Sequence, residues 1–120
     1  MAKSTRNLLE KFMARSLKMA RNREQKKGWA HDDSLTIDVL VGLYYGQNGK
    51  CAHTGETMTL VRGLEDKAVV PTLCTIDRID NTKGYTPDNI MLSCDGINRM
   101  RGEMDLKQFR KLCKLIGAKA

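Results

Sequence analysis

Several absences narrow the chain before any motif is read. No apolar run approaches the length of a membrane span, so no transmembrane segment is expected. The N-terminus carries Lys3, Arg6 and Lys11 but no continuous apolar stretch ahead of a small-residue cleavage site, so no export leader is expected. Four cysteines (Cys51, Cys74, Cys94, Cys113) lack the dense spacing of a secreted disulfide scaffold. They read as reduced thiols in a cytoplasmic setting. Repeats and low-complexity segments are missing. At 120 residues the chain has room for one modest core, which excludes a large substrate cavity. A hydrophobic fraction of 41% excludes a disordered chain.

What is present is charge, unevenly placed. Residues 1–28 hold nine basic side chains (Lys3, Arg6, Lys11, Arg15, Lys18, Arg21, Arg23, Lys26, Lys27) against Glu10 and Glu24. That local excess of +7 equals the net charge of the whole chain. Such a segment attracts phosphate backbones by releasing their counterions, whatever the base sequence. A solvated helix face has the same composition, so charge alone favours nucleic acid only modestly.

Periodicity places the elements. Leu8, Leu9, Phe12, Met13, Leu17 and Ala20 recur at three- and four-residue steps and predict an amphipathic helix over about 5–26, capped by Ser4 or Thr5 and ended by Gly28. A membrane-surface helix shows the same pattern; the folded region that follows argues for an arm laid on a core. After a polar link at 29–34, a second helix is expected from about Ile37 to Tyr45. Thr36 is its cap, Leu35 and Leu40 form a hydrophobic staple, and Gly46 and Gly49 close it. Cys51–Gly55 reads as a tight turn and Met58–Arg62 as a weak strand, with a loop at 63–68. Val69–Ile79 reads as a strand limited by Pro71. Asp80–Asn89 is a long turn, Ile90–Ser93 a returning strand, and a helix runs from Asp95 to a break at Gly102. A final helix from Asp105 is expected to bury Leu106, Phe109, Leu112, Cys113 and Ile116.

The unit of strand, polar loop, strand and helix carries Asp77, Arg78, Asp80, Asn81, Asp88, Asn89, Asp95 and Asn98. Oxygen donors of this kind suit a hard cation, although each alone is ordinary turn chemistry. In order, the run from Thr75 to Asp80 (Thr-Ile-Asp-Arg-Ile-Asp), then Lys83-Gly-Tyr85, Asn89-Ile90, Cys94 and Ile97-Asn98-Arg-Met100, resembles the phage-type branch of the His-Asn-His (HNH) endonucleases. Cys51 with Thr54 and Gly55 adds to the match. The resemblance covers about residues 47–112 and leaves the basic N-terminal helix outside.

The resemblance implies an α+β chain: a small ββα-metal (His-Me finger) core with flanking helices. Residues 1–34 would be a DNA-binding arm and 35–120 the nuclease domain. It also implies hydrolysis of DNA phosphodiesters with one divalent cation, Mg²⁺ or Mn²⁺. Asp77 and Asn98 would be the metal ligands and Asn89 the loop brace. Arg6, Lys11, Arg15, Lys18, Arg21, Arg23, Lys26 and Lys27 would hold DNA. Arg78 falls where the family has its catalytic His. Arginine keeps its proton, so it can clamp a phosphate oxygen but not accept a proton from water. Hydroxide would then come from metal-bound water, assisted by Asp80, with His53 or the substrate phosphate as alternatives.

One site cuts one strand, so a double-strand break would take a homodimer or two visits. Loss of the His leaves two other readings: DNA binding without cutting, or a basic interaction protein with an acidic partner. Each zinc-knuckle position keeps only one thiol (Cys51, Cys94), too few for a tetrahedral site, so structural zinc is not expected, with Cys51, His53, Cys74 and Cys94 meeting by an irregular route as the alternative. Instead Cys51 and Cys94 are expected to pack together. His31 is expected at the surface, Trp29 as an anchor, and Met91, Met100 and Met104 in the core. Lys107, Arg110, Lys111 and Lys114 form a second basic face. A phage or prophage origin follows from the resemblance alone.

Overall fold

The computed structural model describes residues 2–61 and 70–119, with side chains from residue 8 onward. Among these, helix α1 (Ala2–Lys27) comes first and α2 (Ile37–Gly46) follows. Strands β1 (Cys74–Arg78) and β2 (Ile90–Cys94) come next, then α3 (Asp95–Arg101) and α4 (Leu106–Lys119). A single turn of 3₁₀ helix at Pro87–Asn89 leads into β2. The architecture is α+β: one antiparallel hairpin with helices packed around it.

α1 buries Leu9, Phe12, Met13 and Ala20, while Leu8 is exposed. Its backbone is already helical at Ala2, so Ser4 and Thr5 lie inside the helix and do not cap it. Gly28 ends it with φ +71°, and the Trp29 N–H reaches back to the Glu24 carbonyl (3.0 Å), the closure that a left-handed glycine permits. Arg21 then fastens the link to the helix. Its guanidinium donates to Glu24 (2.9 Å) and to the carbonyls of Asp32 (2.7 Å) and Leu35 (2.8 Å). Leu35 and Leu40 are both fully buried in the core.

α2 begins as its sequence predicts, with the Thr36 hydroxyl accepting the Val39 N–H at 3.2 Å. Gly49, at φ +67°, closes the turn after it; a Cβ there would lie 2.8 Å from the Tyr44 hydroxyl. Gln47 then bonds β2 as an extra strand would, accepting from Leu92 N–H (3.0 Å) and donating to Leu92 O (2.9 Å).

Two strand expectations shrink. In place of a strand over Val69–Ile79, only Cys74–Arg78 pairs, because a turn closes from Leu73 N–H to Val70 O (3.0 Å) beside Pro71. The weak strand at Met58–Arg62 reduces to the isolated bridges Lys50↔Thr57 and Thr59↔Leu73. Arg62, Val69 and the loop 63–68 lie outside the described residues. The hairpin register pairs Cys74 with Cys94 and Asp77 with Met91.

Cys51, Cys74 and Cys94 form a buried thiol cluster, and the Cys94 N–H donates to Cys51 Sγ at 3.3 Å. Burial, with the neighbouring thiols, pushes Cys74 from 9.0 to about 12. The unfolded chain would ionise this thiol from pH 9 upward while the folded chain holds it neutral. Its contribution is therefore intact below pH 9 and is lost as pH rises toward 12. The expected slope from this group is about 1.4 kcal/mol per pH unit. Urea unfolding at pH 8, 9 and 10 should show a shallower alkaline decline in Cys74→Ala than in the parent chain; identical slopes would refute the assignment.

The last helix departs most from expectation. Of the residues predicted to be buried on α4, only Phe109 is. Leu112 and Ile116 are exposed, Leu106 and Cys113 half-buried. Met100 is also exposed rather than in the core, and Met91 and Met104 are half-buried. α4 is reached through Gly102 (φ +55°), and among the described residues no second layer covers its outer face.

Candidate active site and nucleic-acid face

β1 residues two apart share a face, as do α3 residues three apart. On these facing surfaces Asn98 Nδ2 donates to the Thr75 hydroxyl (3.2 Å), and one step along Arg101 meets Asp77. Asp77 is 2% exposed. Its Oδ1 accepts from Arg101 Nη1 (3.1 Å); its Oδ2 accepts from the Ser93 hydroxyl (3.0 Å) and faces His53 Nε2 (3.1 Å). Arg101 also donates to the carbonyls of Arg78 (2.6 Å), Ile79 (2.8 Å) and Met104 (2.9 Å).

This arrangement does not fit a divalent ion held between Asp77 and Asn98. A guanidinium already neutralises the carboxylate, and a second cation beside it would be repelled. Asn98 instead lines a cleft of about 220 Å³ with Ser16, Arg23, Thr75 and Asp95. Among the described residues, no group of three or more His, Cys, Asp or Glu side chains could hold a metal.

Arg78, expected to clamp phosphate, is buried and committed to the protein. Its guanidinium lies 3.9 Å from the centre of the Trp29 ring and donates to the carbonyls of Asn81 (2.8 Å) and Lys83 (2.9 Å). Burial lowers its pKa, with nearby Arg23 and Arg101 acting the same way. Trp29 is thus an anchor, packed edge-on to Tyr85 (5.9 Å). Asp80, expected to assist a water, caps its own turn: its carboxylate accepts the Thr82 hydroxyl (2.6 Å) and N–H (2.9 Å). Those bonds hold its pKa below the usual carboxylate value, which weakens it as a base. Asn89 ties the loop, accepting from Asp80 N–H (2.9 Å) and donating to the carbonyls of Gly84 (2.9 Å) and Asp80 (3.1 Å).

His53, weighed from sequence only as an alternative proton acceptor, stands at the centre. The turn Cys51–Gly55, closed by Gly55 N–H to Cys51 O (2.9 Å), carries it against Asp77. Its side chain is 6% exposed and packs edge-on to Phe109 of α4. His53 Nδ1 is buried with no hydrogen-bond partner, a condition that costs roughly 1–3 kcal/mol in a protein interior. Arg101 and Ser93, the other two partners of Asp77, were also missed. The only local signal was an Arg three residues after Asn98. His31, by contrast, sits at the surface beside Asp33 (2.7 Å).

On α1 the side chains Lys11, Arg15, Lys18, Asn22 and Lys26 recur at four- and three-residue steps and are all exposed. They form one stripe about 22 Å long at 1.5 Å per residue. Arg23 and Lys27 are exposed to one side of it. Arg21 is not on this face, being spent on Glu24 and the link. The Arg6 side chain lies outside the described ones.

The hairpin running directly into α3, its loop braced by Asn89, defines a small α+β fold similar to that of HNH endonucleases. The solved structure of the rare-cutting HNH restriction endonuclease PacI superimposes with a TM-score of 0.64 at 19% sequence identity, covering 89% of this chain and 78% of that one. No family model matches the chain, and no curated protein does.

Proposed function

We propose that this chain is a DNA endonuclease that hydrolyses phosphodiester bonds, in the phage-type HNH branch that carries Asp-Arg in place of Asp-His. Residues 1–34 act as the DNA-binding arm and 35–120 as the nuclease domain, in the cytoplasm of a bacterial host. The observation that carries this reading is the cationic stripe of α1 set on a PacI-like ββα unit. Lysine and arginine spaced along one helix face hold DNA through its backbone, and the hairpin and α3 supply the chemistry. Within that unit Asn89 keeps the loop in shape, and Asp77 orients the His53 imidazole through Nε2. Mg²⁺ or Mn²⁺ is the cofactor that the resemblance implies.

One observation favours a second reading, DNA binding without turnover: Arg101 sits 3.1 Å from Asp77 and closes the carboxylate that a cation would need. Supercoiled plasmid separates the two. The protein is incubated with DNA in Mg²⁺, in Mn²⁺ and in EDTA, beside His53→Gln. Under the endonuclease reading supercoiled plasmid converts to the nicked form, and the variant loses this by at least tenfold. Salt-sensitive retention without nicking in any arm would establish the second reading and end the first.

A further inference from the structure

We infer that α4 is a hinged lid over His53, and that the imidazole nitrogen it covers faces the attacking water when the lid lifts. The first observation is the orphaned atom. His53 Nε2 is engaged by Asp77, and Nδ1 is the only buried side-chain polar atom without a partner among the described residues. A donor that approached Nδ1 would complete it. The second observation is what packs against the imidazole: the ring of Phe109 from α4, edge-on at 6.2 Å between centroids. The third is how loosely that cover is held.

Phe109 is the one buried residue of α4, and Leu112, Leu115 and Ile116 on the same helix are exposed. By contrast, the chain just before the helix is pinned, since Asn81 Nδ2 and Arg101 Nε both donate to Met104 O (2.9 Å each). Asp105 is then the pivot, with its carboxylate capping the Gln108 N–H (3.2 Å). A helix fixed at one end, with one fully buried side chain and the half-buried Leu106 and Cys113 as its seat, opens more cheaply than one with a fully buried face. Lys107, Arg110, Lys111 and Lys114 are exposed along it, so an approaching phosphate backbone attracts the element that must move. Nδ1 then accepts the hydrogen bond of a water that Asp77 cannot itself reach.

The lid is independent of the endonuclease reading; the water-facing role of Nδ1 rests on it. The chain has two histidines, so carbethoxylation by diethyl pyrocarbonate, resolved by peptide mass spectrometry, reads both at once. His31 reacts freely and is the internal reference; His53 is protected. In Phe109→Ala the His53 rate rises about tenfold or more while His31 is unchanged, as expected when a local opening loses its one fully buried side chain. The buried thiols Cys51, Cys74 and Cys94 must stay unreactive to a disulfide reagent in that variant. Equal His53 rates in both proteins, or thiols exposed together with it, would overturn the lid.

For the second half, His53→Gln keeps an N–H for Asp77 but has nothing at the position of Nδ1. It should lose kcat for plasmid nicking without a change in DNA affinity. Undiminished kcat in that variant would overturn the role of Nδ1. If the parent chain does not nick at all, the endonuclease reading fails, and with it the role of Nδ1, while the modification rates still decide the lid.

Discussion

Replacing Asp77 by Ala should lower the stability of the domain by about 3–5 kcal/mol, the range for stranding one member of a buried ion pair. The carboxylate is shared by Arg101, Ser93 and His53. Its removal leaves a guanidinium that is 1% exposed without its counter-ion, and two further polar groups without an acceptor. Asp77→Asn should cost less, because the amide oxygen still accepts one of these bonds. Asp77→Ala combined with Arg101→Met should cost clearly less than the two single changes summed, since the charge and its partner leave together. Urea unfolding of the four variants tests this; strict additivity would show that the pair is not coupled. The result also governs how nicking assays are read: loss of activity in Asp77→Ala reports unfolding unless the variant is shown to be folded.

The second large effect is on DNA binding. Changing Lys11, Arg15, Lys18 and Lys26 together to Gln should weaken duplex binding roughly a hundredfold or more at low salt. It should also flatten the slope of log K against log salt by about 3.6, four phosphate contacts at about 0.9 each. Arg21→Ala is the contrasting change. Arg21 lies in the same basic segment, but it serves Glu24 and the link, so the salt slope should stay as in the parent chain. Stability should instead fall by about 3 kcal/mol, because Glu24 remains buried without its partner. Fluorescence anisotropy over a salt series distinguishes the two. A stripe variant with the parental slope would remove α1 from the DNA face.

What could be read in advance was local. A 3.6-residue period drew α1, Thr36 and Gly28 marked a helix start and a helix end, and the Asp-Asn-rich turn between a β-branched run and a short apolar run drew the hairpin. Each depends on interactions within a few residues, which the order of side chains encodes directly. Failures began where an element needed a distant partner. The apolar residues of α4 have helical spacing but, among the described residues, no layer to meet, and Val69–Val70 is β-prone by sequence yet followed by a proline turn.

The candidate site divides the same way. The sequence by itself determined which residues crowd the strand end; the family resemblance added the expectations that Asn89 would brace its loop and that Arg78 falls where that family has its catalytic His. Only the tertiary structure decided that the His53 imidazole, delivered by the turn at Cys51–Gly55, faces Asp77, and that Arg101 rather than Asn98 meets that carboxylate. Both partners lie 24 residues from Asp77, one on each side. At that distance no periodicity selects among the candidates. The choice follows from how α3 seats on the hairpin and which buried charge most needs neutralising, and those are set by packing in three dimensions.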